Sequence, residues 1–376
     1  MQIGIPAEIR AGETRVAATP ETIKKLTSGG HHKLLVQAGA GENASVPDSE
    51  FSAVGAIIAR SAAELYRQSE VVLKVRAPEP SELGLIGKGT ILIGLLDPYD
   101  AAAVESYARA GLTGFALESL PRITRAQAMD VLSSQANIGG YKAVMLAANE
   151  YQRFMPMLMT AAGTVKAARV LVLGAGVAGL QAIATAKRLG AVIEASDVRP
   201  VVKEQIESLG AKFLDVPFLT DEEREIAGGV GGYARPMPAD WMRRQAELVH
   251  ERAKAADIII TTALIPGRPA PVLLKEETVK AMKPGAVIVD MAIEQGGNCP
   301  LTERDRIVVK HGVKLIGITN LPALVAADAS ALYARNLLNF FNLLVDPKTG
   351  QLNLNRDDEI IAGALVCIGG QVTRKP

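Results

Sequence analysis

The sequence has little of what several classes of protein require. It contains two cysteines, Cys299 and Cys367, which are too few for a disulfide framework and do not have the spacing of a metal site. It contains no stretch of about 18 apolar residues, the length that a membrane-spanning helix needs. We therefore expect a soluble protein of a reducing, cytoplasmic compartment, without a structural metal.

An excess of charge of one sign is also absent. Lys and Arg number 41 and Asp and Glu number 40. Nucleic-acid binding depends on clustered positive charge, and docking onto a lipid surface depends on a polybasic segment. We expect neither nucleic acid nor a lipid surface to be the main partner. The first residues, MQIGIPAEIR, become polar too soon for a secretory signal.

The sequence does contain an alternation of short apolar runs and helical patterns, which is typical of βαβ units and parallel sheets. Its 376 residues correspond to about two domains. The predicted strands fall into two sets. The first set is 3–5, 33–37, 56–58, 71–75, 90–93 and 113–116, and the second is 168–173, 191–196, 211–216, 257–262, 286–289 and 314–318.

Two long helical segments, 140–155 and 331–344, flank the second set. This order predicts an α/β fold with two Rossmann-like parallel-sheet domains joined by two long helices. The N-terminal domain would be discontinuous, comprising 1–133 plus 321–376, and 134–320 would be the inserted domain. We assign no role to the last residues, in which 360–367 are weakly strand-like.

A glycine motif in the second set carries the clearest chemistry. Gly174, Gly176 and Gly179 follow the apolar run ARVLVL and open a helical pattern that Gly190 ends. In a dinucleotide-binding turn, the first glycine permits the tight turn and the second lets the backbone approach the pyrophosphate. The third lets helix and strand pack closely, and the helix N-terminus offers N–H groups to the phosphates.

The end of the next predicted strand indicates which dinucleotide binds. The run AVIEAS leads to Asp197, whose carboxylate can accept hydrogen bonds from both ribose hydroxyls and repels a 2′-phosphate. This favours NAD(H), and the nearby Arg199 keeps NADP(H) as the weaker alternative.

An acid or base of the kind that most dehydrogenases use is not evident. The histidines lie in turns or in a charged helical pattern, at His31, His32, His250 and His311. Lys74, near the end of an apolar strand, and Arg15 are charged candidates for a site, with surface ion pairs as the alternative.

Two further segments have an open interpretation. Residues 122–134 are dense in polar side chains, which either line a cleft between domains or start a helix, since Asp130 and Ser133 both suit caps. Residues 227–238 combine four glycines and two prolines around one tyrosine. We expect a mobile surface loop there, with a plain connection as the alternative.

Together the segments resemble one family, the NAD(H)-binding alpha or alpha-1 component of proton-translocating nicotinamide nucleotide transhydrogenases. The resemblance extends to about residue 345. The segments that carry it are IPAEIRAGETRVAATPETIKKL, PRITRAQAMDVLSSQANIGGYKAV, MTAAGT, VLVLGAGVAGLQAIATAKRLGA, TTALIPGRPAPVL, MAIEQGGNCP and NLPALVAADAS.

The resemblance implies a reaction and partners. Hydride would pass directly between NAD(H) on this chain and NADP(H) on a separate component, while a membrane component moves protons. Such transfer depends on positioning two rings rather than on an acid or base. The family further implies a homodimer that is peripheral on the cytoplasmic face of the inner membrane. The sequence leaves open whether the chain is a separate subunit or a segment of a longer alpha chain.

The resemblance also assigns site residues by motif. On the nicotinamide side, facing the NADP(H) component, these are Arg122, Gln127, Asp130 and Ser133. Along the rest of the cofactor they are Gly174, Gly176, Val177, Gly179, Asp197, Val198, Arg199, Gly232, Tyr233, Ala263 and Leu264.

Alanine dehydrogenase is the alternative, because it shares many of these motifs. It would use Arg15 and Lys74 for its substrate and a carboxylate at Glu294. It also requires a histidine at a strand end that reads LIGLLDP here, at 92–98, without one. The transhydrogenase component is therefore favoured.

The implied role of Tyr233, closing a loop over bound nucleotide, predicts that Tyr233→Ala or Tyr233→Phe weakens NADH binding modestly and slows hydride exchange. Fluorescence titration with NADH and the exchange rate measure the two effects. Unchanged values for both would make residues 227–238 a plain connection.

Overall fold

The computed structural model describes residues 1–228, 236–265 and 267–373. The chain divides into two units. Unit 1 comprises Met1–Gln135 and Pro322–Pro376, and unit 2 comprises Ala136–Leu321. Each unit is built on its own mainly parallel sheet with helices, so the predicted α/β class with two Rossmann-like domains is confirmed.

The elements alternate along the chain as βαβ units require. The strands are β1 Gln2–Ile5, β2 Lys33–Gln37, β3 Ile57–Ala59, β4 Val71–Arg76, β5 Ile91–Leu95, β6 Thr113–Ala116, β7 Leu158–Thr160, β8 Gly163–Val165, β9 Arg169–Leu173, β10 Val192–Ser196, β11 Lys212–Phe213, β12 Ile258–Thr261, β13 Val287–Asp290, β14 Ile307–Lys310, β15 Val313–Ile316, β16 Leu365–Ile368 and β17 Gln371–Val372. The α-helices are α1 Pro20–Thr27, α2 Asp48–Ala53, α3 Ala62–Gln68, α4 Pro80–Leu83, α5 Ala101–Arg109, α6 Val131–Glu150, α7 Val177–Arg188, α8 Lys203–Ser208, α9 Asp221–Ala227, α10 Ala239–Ala255, α11 Glu276–Lys280, α12 Ala326–Phe341 and α13 Glu359–Ala364.

The sheet of unit 1 has, among the described residues, the strand order β17-β16-β6-β5-β4-β1-β2-β3. Strands β1 to β6 run parallel. Both faces are covered, so the strands are apolar almost throughout. In β4, for example, Val71 and Leu73 enter one core and Val72 enters the other, because successive side chains point to opposite faces.

The C-terminal segment has a structural place in unit 1 that the sequence did not predict. Residues 360–367 were expected to be weakly strand-like, which is wrong over the first half. There α13 forms instead, because the Asp358 side chain caps it by accepting a hydrogen bond from Ile360 N at 2.8 Å. Only then does β16 begin, and it pairs antiparallel with β6.

The sheet of unit 2 has the order β11-β10-β9-β12-β13-β15-β14 in the described residues of the chain. Its strands are parallel except β14, which runs antiparallel to β15 and was not predicted. A two-residue turn joins these strands through His311 and Gly312, both with positive φ, at 51° and 77°. The short sequence HG between two apolar runs was the available signal for this hairpin.

Helix α6 was predicted nine residues too late, at 140, and begins instead at Val131. Asp130 caps its first turn, since the carboxylate accepts from Ser133 N at 2.9 Å. The helix crosses from unit 1 into unit 2 between Gln135 and Ala136. Inside unit 2 it passes so close to α7 that a Cβ on Gly140 would lie 2.1 Å from the Ala178 carbonyl oxygen.

Helix α12 begins at Ala326, also ahead of its predicted start, and belongs wholly to unit 1. Among the helices of the described residues, none has the length and apolar character needed to span a membrane.

A buried carboxyl group in unit 1 makes stability depend on pH. Glu118 follows β6 and accepts hydrogen bonds from Leu96 N at 3.2 Å and Asp97 N at 2.6 Å. Burial nevertheless raises the pKa of Glu118 to about 7. Between its unfolded pKa of 4.5 and this value, the folded protein holds a proton that the unfolded chain releases.

The free energy of unfolding should therefore fall by about 1–3 kcal/mol as pH rises from 4.5 towards 7. In Glu118→Gln this contribution should be absent. Urea unfolding over that pH range compares the two proteins, and parallel pH profiles would contradict the assignment.

Candidate dinucleotide-binding site

The glycine motif forms a tight turn between β9 and α7. Gly174 has φ +97°, and a Cβ there would lie 2.6 Å from Thr262 Oγ1. A Cβ on Gly179 would lie 1.9 Å from the Gly174 carbonyl oxygen. Both positions therefore exclude any side chain, one because of the turn and the other because helix and strand are packed closely.

Gly176 serves a different purpose in this turn. A Cβ there would meet only Arg199 Nη2, at 4.0 Å, so its backbone faces open space. Gly176 is the N-cap of α7 and makes no side-chain cap hydrogen bond, and Val177 is exposed at the first helical position. The first-turn N–H groups of α7 can therefore bind an anion such as a pyrophosphate.

Asp197 follows β10 and bonds two loops at once. Its Oδ2 accepts from Ala175 N at 2.7 Å, and its Oδ1 accepts from Arg199 N at 2.9 Å. The Arg199 guanidinium adds Nε to Oδ1 at 2.9 Å and Nη2 to Oδ2 at 2.8 Å. The hydrogen bond and charge of Asp197 raise the pKa of Arg199.

These bonds use the acceptor capacity of the carboxylate, which is about four hydrogen bonds. Two come from backbone N–H groups that fix the loops. The other two come from a flexible side chain, so ribose hydroxyls can replace the guanidinium without disturbing the backbone.

The end of β12 completes this edge of the sheet, since β12 and β10 are the two neighbours of β9. Thr262 Oγ1 donates to the Gly174 carbonyl oxygen at 2.9 Å. Ala263 follows, its carbonyl bonded by Asn298, and Leu264 is partly exposed. The structure thus brings together the predicted residues of the phosphate turn, Asp197 to Arg199 and Ala263. Sequence reasoning missed Thr262 and Asn298, although both lie inside segments that carry the family resemblance.

The polar residues of segment 122–134 lie in unit 1. Arg122 and Gln127 are exposed, and a 3₁₀ helix spans Thr124–Met129. Ser133 Oγ donates to Asp130 Oδ2 at 2.6 Å, in addition to the backbone bond of the cap. The helix-start interpretation of Asp130 and Ser133 is therefore correct. Gly232 and Tyr233 lie outside the described residues.

Arg15 is buried and ion-paired, so the expected alternative of a surface pair is wrong in its location. Its Nε and Nη2 donate to the two carboxylate oxygens of Glu13 at 2.7 and 2.6 Å, and its Nη1 donates to Gln135 at 2.8 Å. Burial would raise the pKa of Glu13, but Arg15, with Arg76, outweighs it and lowers that pKa to about 2.

Lys74 is buried in the same way. Its Nζ lies 2.8 Å from Glu82 Oε1 and 3.4 Å from Glu8 Oε2. Tyr66 donates to the same Glu82 oxygen at 2.5 Å. Both candidate cations of unit 1 are therefore neutralised by carboxylates of the chain itself.

The histidines of unit 2 have structural partners. His250 Nδ1 lies 2.9 Å from Thr278 Oγ1, so this side chain is not simply solvated as expected. His311 Nε2 lies 2.9 Å from Glu276 Oε1 in the turn between β14 and β15.

The turn, the helix N-terminus and the acid after β10 define a Rossmann-type protein that binds a nicotinamide dinucleotide. The chain belongs to the alanine dehydrogenase/PNT family. The model of the N-terminal domain matches residues 4–139, and that of the C-terminal domain matches residues 143–375.

Relatives within this family have two kinds of name. The chain is 52% identical to an NAD(P) transhydrogenase alpha subunit of Rhodospirillum rubrum, covering 99% of this chain and 97% of that protein. It is 31% identical to alanine dehydrogenase of Mycobacterium tuberculosis, over 86% and 82%. The crystal structure of transhydrogenase from Sinorhizobium meliloti superposes with a TM-score of 0.89 at 46% identity, covering 99% of this chain and all of that one.

Because Asp197 offers the only carboxylate that both loops share among the described residues, its loss should weaken NADH binding. Asp197→Ala should cost about 1–3 kcal/mol, as expected for the loss of a charged hydrogen-bond partner. Calorimetric titration with NADH measures it. Glu194→Ala removes a carboxylate from the same strand, one paired only at 3.9 and 3.7 Å with Lys212 and Arg252, and serves as the control. Equal binding by both variants would show that the ribose anchor is misassigned.

Proposed function

We propose that this chain is the NAD(H)-binding component of a proton-translocating transhydrogenase. Hydride passes directly between its nicotinamide ring and that of NADP(H) on a separate component, and a membrane component moves the protons. The carrying observation is the dinucleotide site of unit 2. The relatives named as transhydrogenase alpha subunits support the same conclusion.

The choice of NAD(H) over NADP(H) follows from charge at the ribose. The Asp197 carboxylate stands where the loops after β9 and β10 meet, and it is held there by Ala175 N and Arg199 N. A 2′-phosphate would be repelled by this carboxylate, whereas two hydroxyls can bond to it. The glycine turn and the N-terminus of α7 would hold the pyrophosphate, and Val198, Ala263 and Leu264 would flank the cofactor.

The residues of this chain position a ring rather than move protons. Hydride exchange between two nicotinamide rings changes no proton at a side chain, so the chain needs to hold one ring at near-contact distance from the other. We assign this task to Arg122, Gln127, Asp130 and Ser133. The mutual hydrogen bonds of Asp130 and Ser133 support it, because they fix two of these side chains before any ligand binds.

The alternative, an alanine dehydrogenase, is favoured by the Mycobacterium relative but opposed by the geometry of unit 1. Arg15 and Lys74 would have to bind a substrate carboxylate and carbonyl. Both are buried and already neutralised, by Glu13 and by Glu82 with Glu8. An anionic substrate would have to displace these carboxylates, and breaking such buried pairs costs about 3–5 kcal/mol.

A homodimer is supported by the hairpin of β7 and β8. Its side chains are exposed along both strands, and large apolar ones stand on it, with Met157 61% and Met159 70% accessible. Apolar side chains that project together from a monomer are typical of a subunit contact. Location on the cytoplasmic face of the inner membrane would then follow from binding to the other components.

Two assays separate the candidates. The isolated chain should form no NADH from L-alanine and NAD. With the NADP(H)-binding component added, it should transfer hydride between NADPH and an NAD analogue, because the second ring is then present. Alanine-dependent NADH formation by the isolated chain, or no exchange in the reconstituted mixture, would overturn the proposal.

A further inference from the structure

The segment that follows β12 is bonded along its length by the turn that follows β13. Asn298 is fully buried, and its Nδ2 donates to the carbonyl oxygens of Ala263 at 2.9 Å and Pro271 at 2.8 Å. One amide group therefore ties together the two ends of the stretch between positions 263 and 271.

A second amide of the same turn faces the interior of that stretch. The carbonyl oxygens of Ile265 and Arg268 lie 3.1 and 2.7 Å from the Gln295 side-chain nitrogen when its amide is turned to donate to them. The Gln295 carbonyl oxygen accepts from Ala270 N at 2.8 Å. The backbone after β12 is thus matched by donors and an acceptor from a single turn.

The turn is itself built around a buried carboxylate. Asp290 Oδ1 accepts from Ala292 N and Asn298 N, each at 3.1 Å, and Oδ2 accepts from Cys299 N at 2.9 Å. Gly297 has φ +80°, and a Cβ there would lie 2.6 Å from Asp290 Oδ2. The carboxylate therefore fixes the turn and, through it, the direction of the two amides.

This arrangement is continuous with the dinucleotide site. Thr262, next to the stretch, bonds the Gly174 carbonyl of the phosphate turn. It also accounts for two sequence segments, TTALIPGRPAPVL and MAIEQGGNCP, which are far apart along the chain and bonded to each other in the fold.

We propose that Gln295 and Asn298 are positioning residues of the dinucleotide site. By holding the carbonyls of Ala263, Ile265, Arg268 and Pro271, they keep the backbone beside the cofactor in its binding conformation, so that NADH does not have to order it. A segment that is ordered before binding leaves more of the interaction energy for affinity. The inference rests on the proposed NAD(H) function.

The test uses the full chain and the variants Gln295→Ala and Asn298→Ala. NADH should bind about tenfold more weakly to each, because only a fraction of the molecules then has the competent segment. Hydrogen–deuterium exchange of peptides covering 263–271 should rise in the free protein, with little change in the peptides of β9 and α7. Gln295→Glu keeps the size of the side chain but removes the donor, so it should behave like Gln295→Ala.

Asp257→Ala is the matched control. Asp257 lies at the opposite end of β12, where its carboxylate accepts from Arg169 N at 2.8 Å and from Lys283 Nζ at 2.7 Å. The control should lower the melting temperature while leaving the NADH dissociation constant within about twofold of wild type, since stability and site geometry are then separated.

The outcomes are distinguishable. Wild-type affinity and wild-type exchange in both Gln295 variants would overturn the inference, even if Asn298→Ala fails to fold. The same loss of affinity in Asp257→Ala as in the Gln295 variants would also overturn it, by making the effect one of general stability. A wild-type chain that binds no NADH would contradict the proposed function instead, and the exchange measurements would still decide whether the amides hold the segment.

Discussion

The carboxylate of Asp197 is the contact on which the dinucleotide site depends. It bonds Ala175 N in the loop after β9 and Arg199 N in the loop after β10, so one side chain fixes both loops. The order β10-β9-β12 then brings a third loop to the same edge, where Thr262 bonds Gly174. Parallel strands make this possible, because their carboxyl ends share one edge of the sheet. The phosphate turn, the ribose acid and the segment after β12 therefore form one bonded structure.

Unit 1 treats charge in the opposite way. Its buried cations, Arg15 and Lys74, are satisfied by Glu13 and by Glu82 with Glu8. Removing one member of such a pair leaves an uncompensated buried charge, so these residues stabilise the unit instead of presenting charge to a ligand. The polar segment 122–134 differs, since Arg122 and Gln127 are exposed. The family contains alanine dehydrogenases and transhydrogenases, and this contrast is the physical basis for our preference between the two.

Most of the fold could be predicted from periodicity, because strands that are buried on both faces are short apolar runs. The glycine turn was equally legible, since its three glycines have separate steric reasons that the structure bears out. Less could be predicted where a single polar contact decides, as with the Asp130 cap that starts α6 and the Asp358 cap that makes a helix of residues expected to form a strand. Long-range bonds such as Asn298 to Ala263, 35 residues apart, leave no periodic signal. The role of Tyr233 stays a prediction.

Direct transfer between two rings is the central claim, and isotope tracing tests it most directly. The chain would be loaded with NADH deuterated at the transferable position of the ring and mixed with the NADP(H)-binding component carrying NADP. The account predicts that the deuterium appears quantitatively in NADPH and that none is lost to water, because no side chain accepts the transferred atom. Loss of label to solvent, or transfer that proceeds through a reduced intermediate on this chain alone, would contradict it.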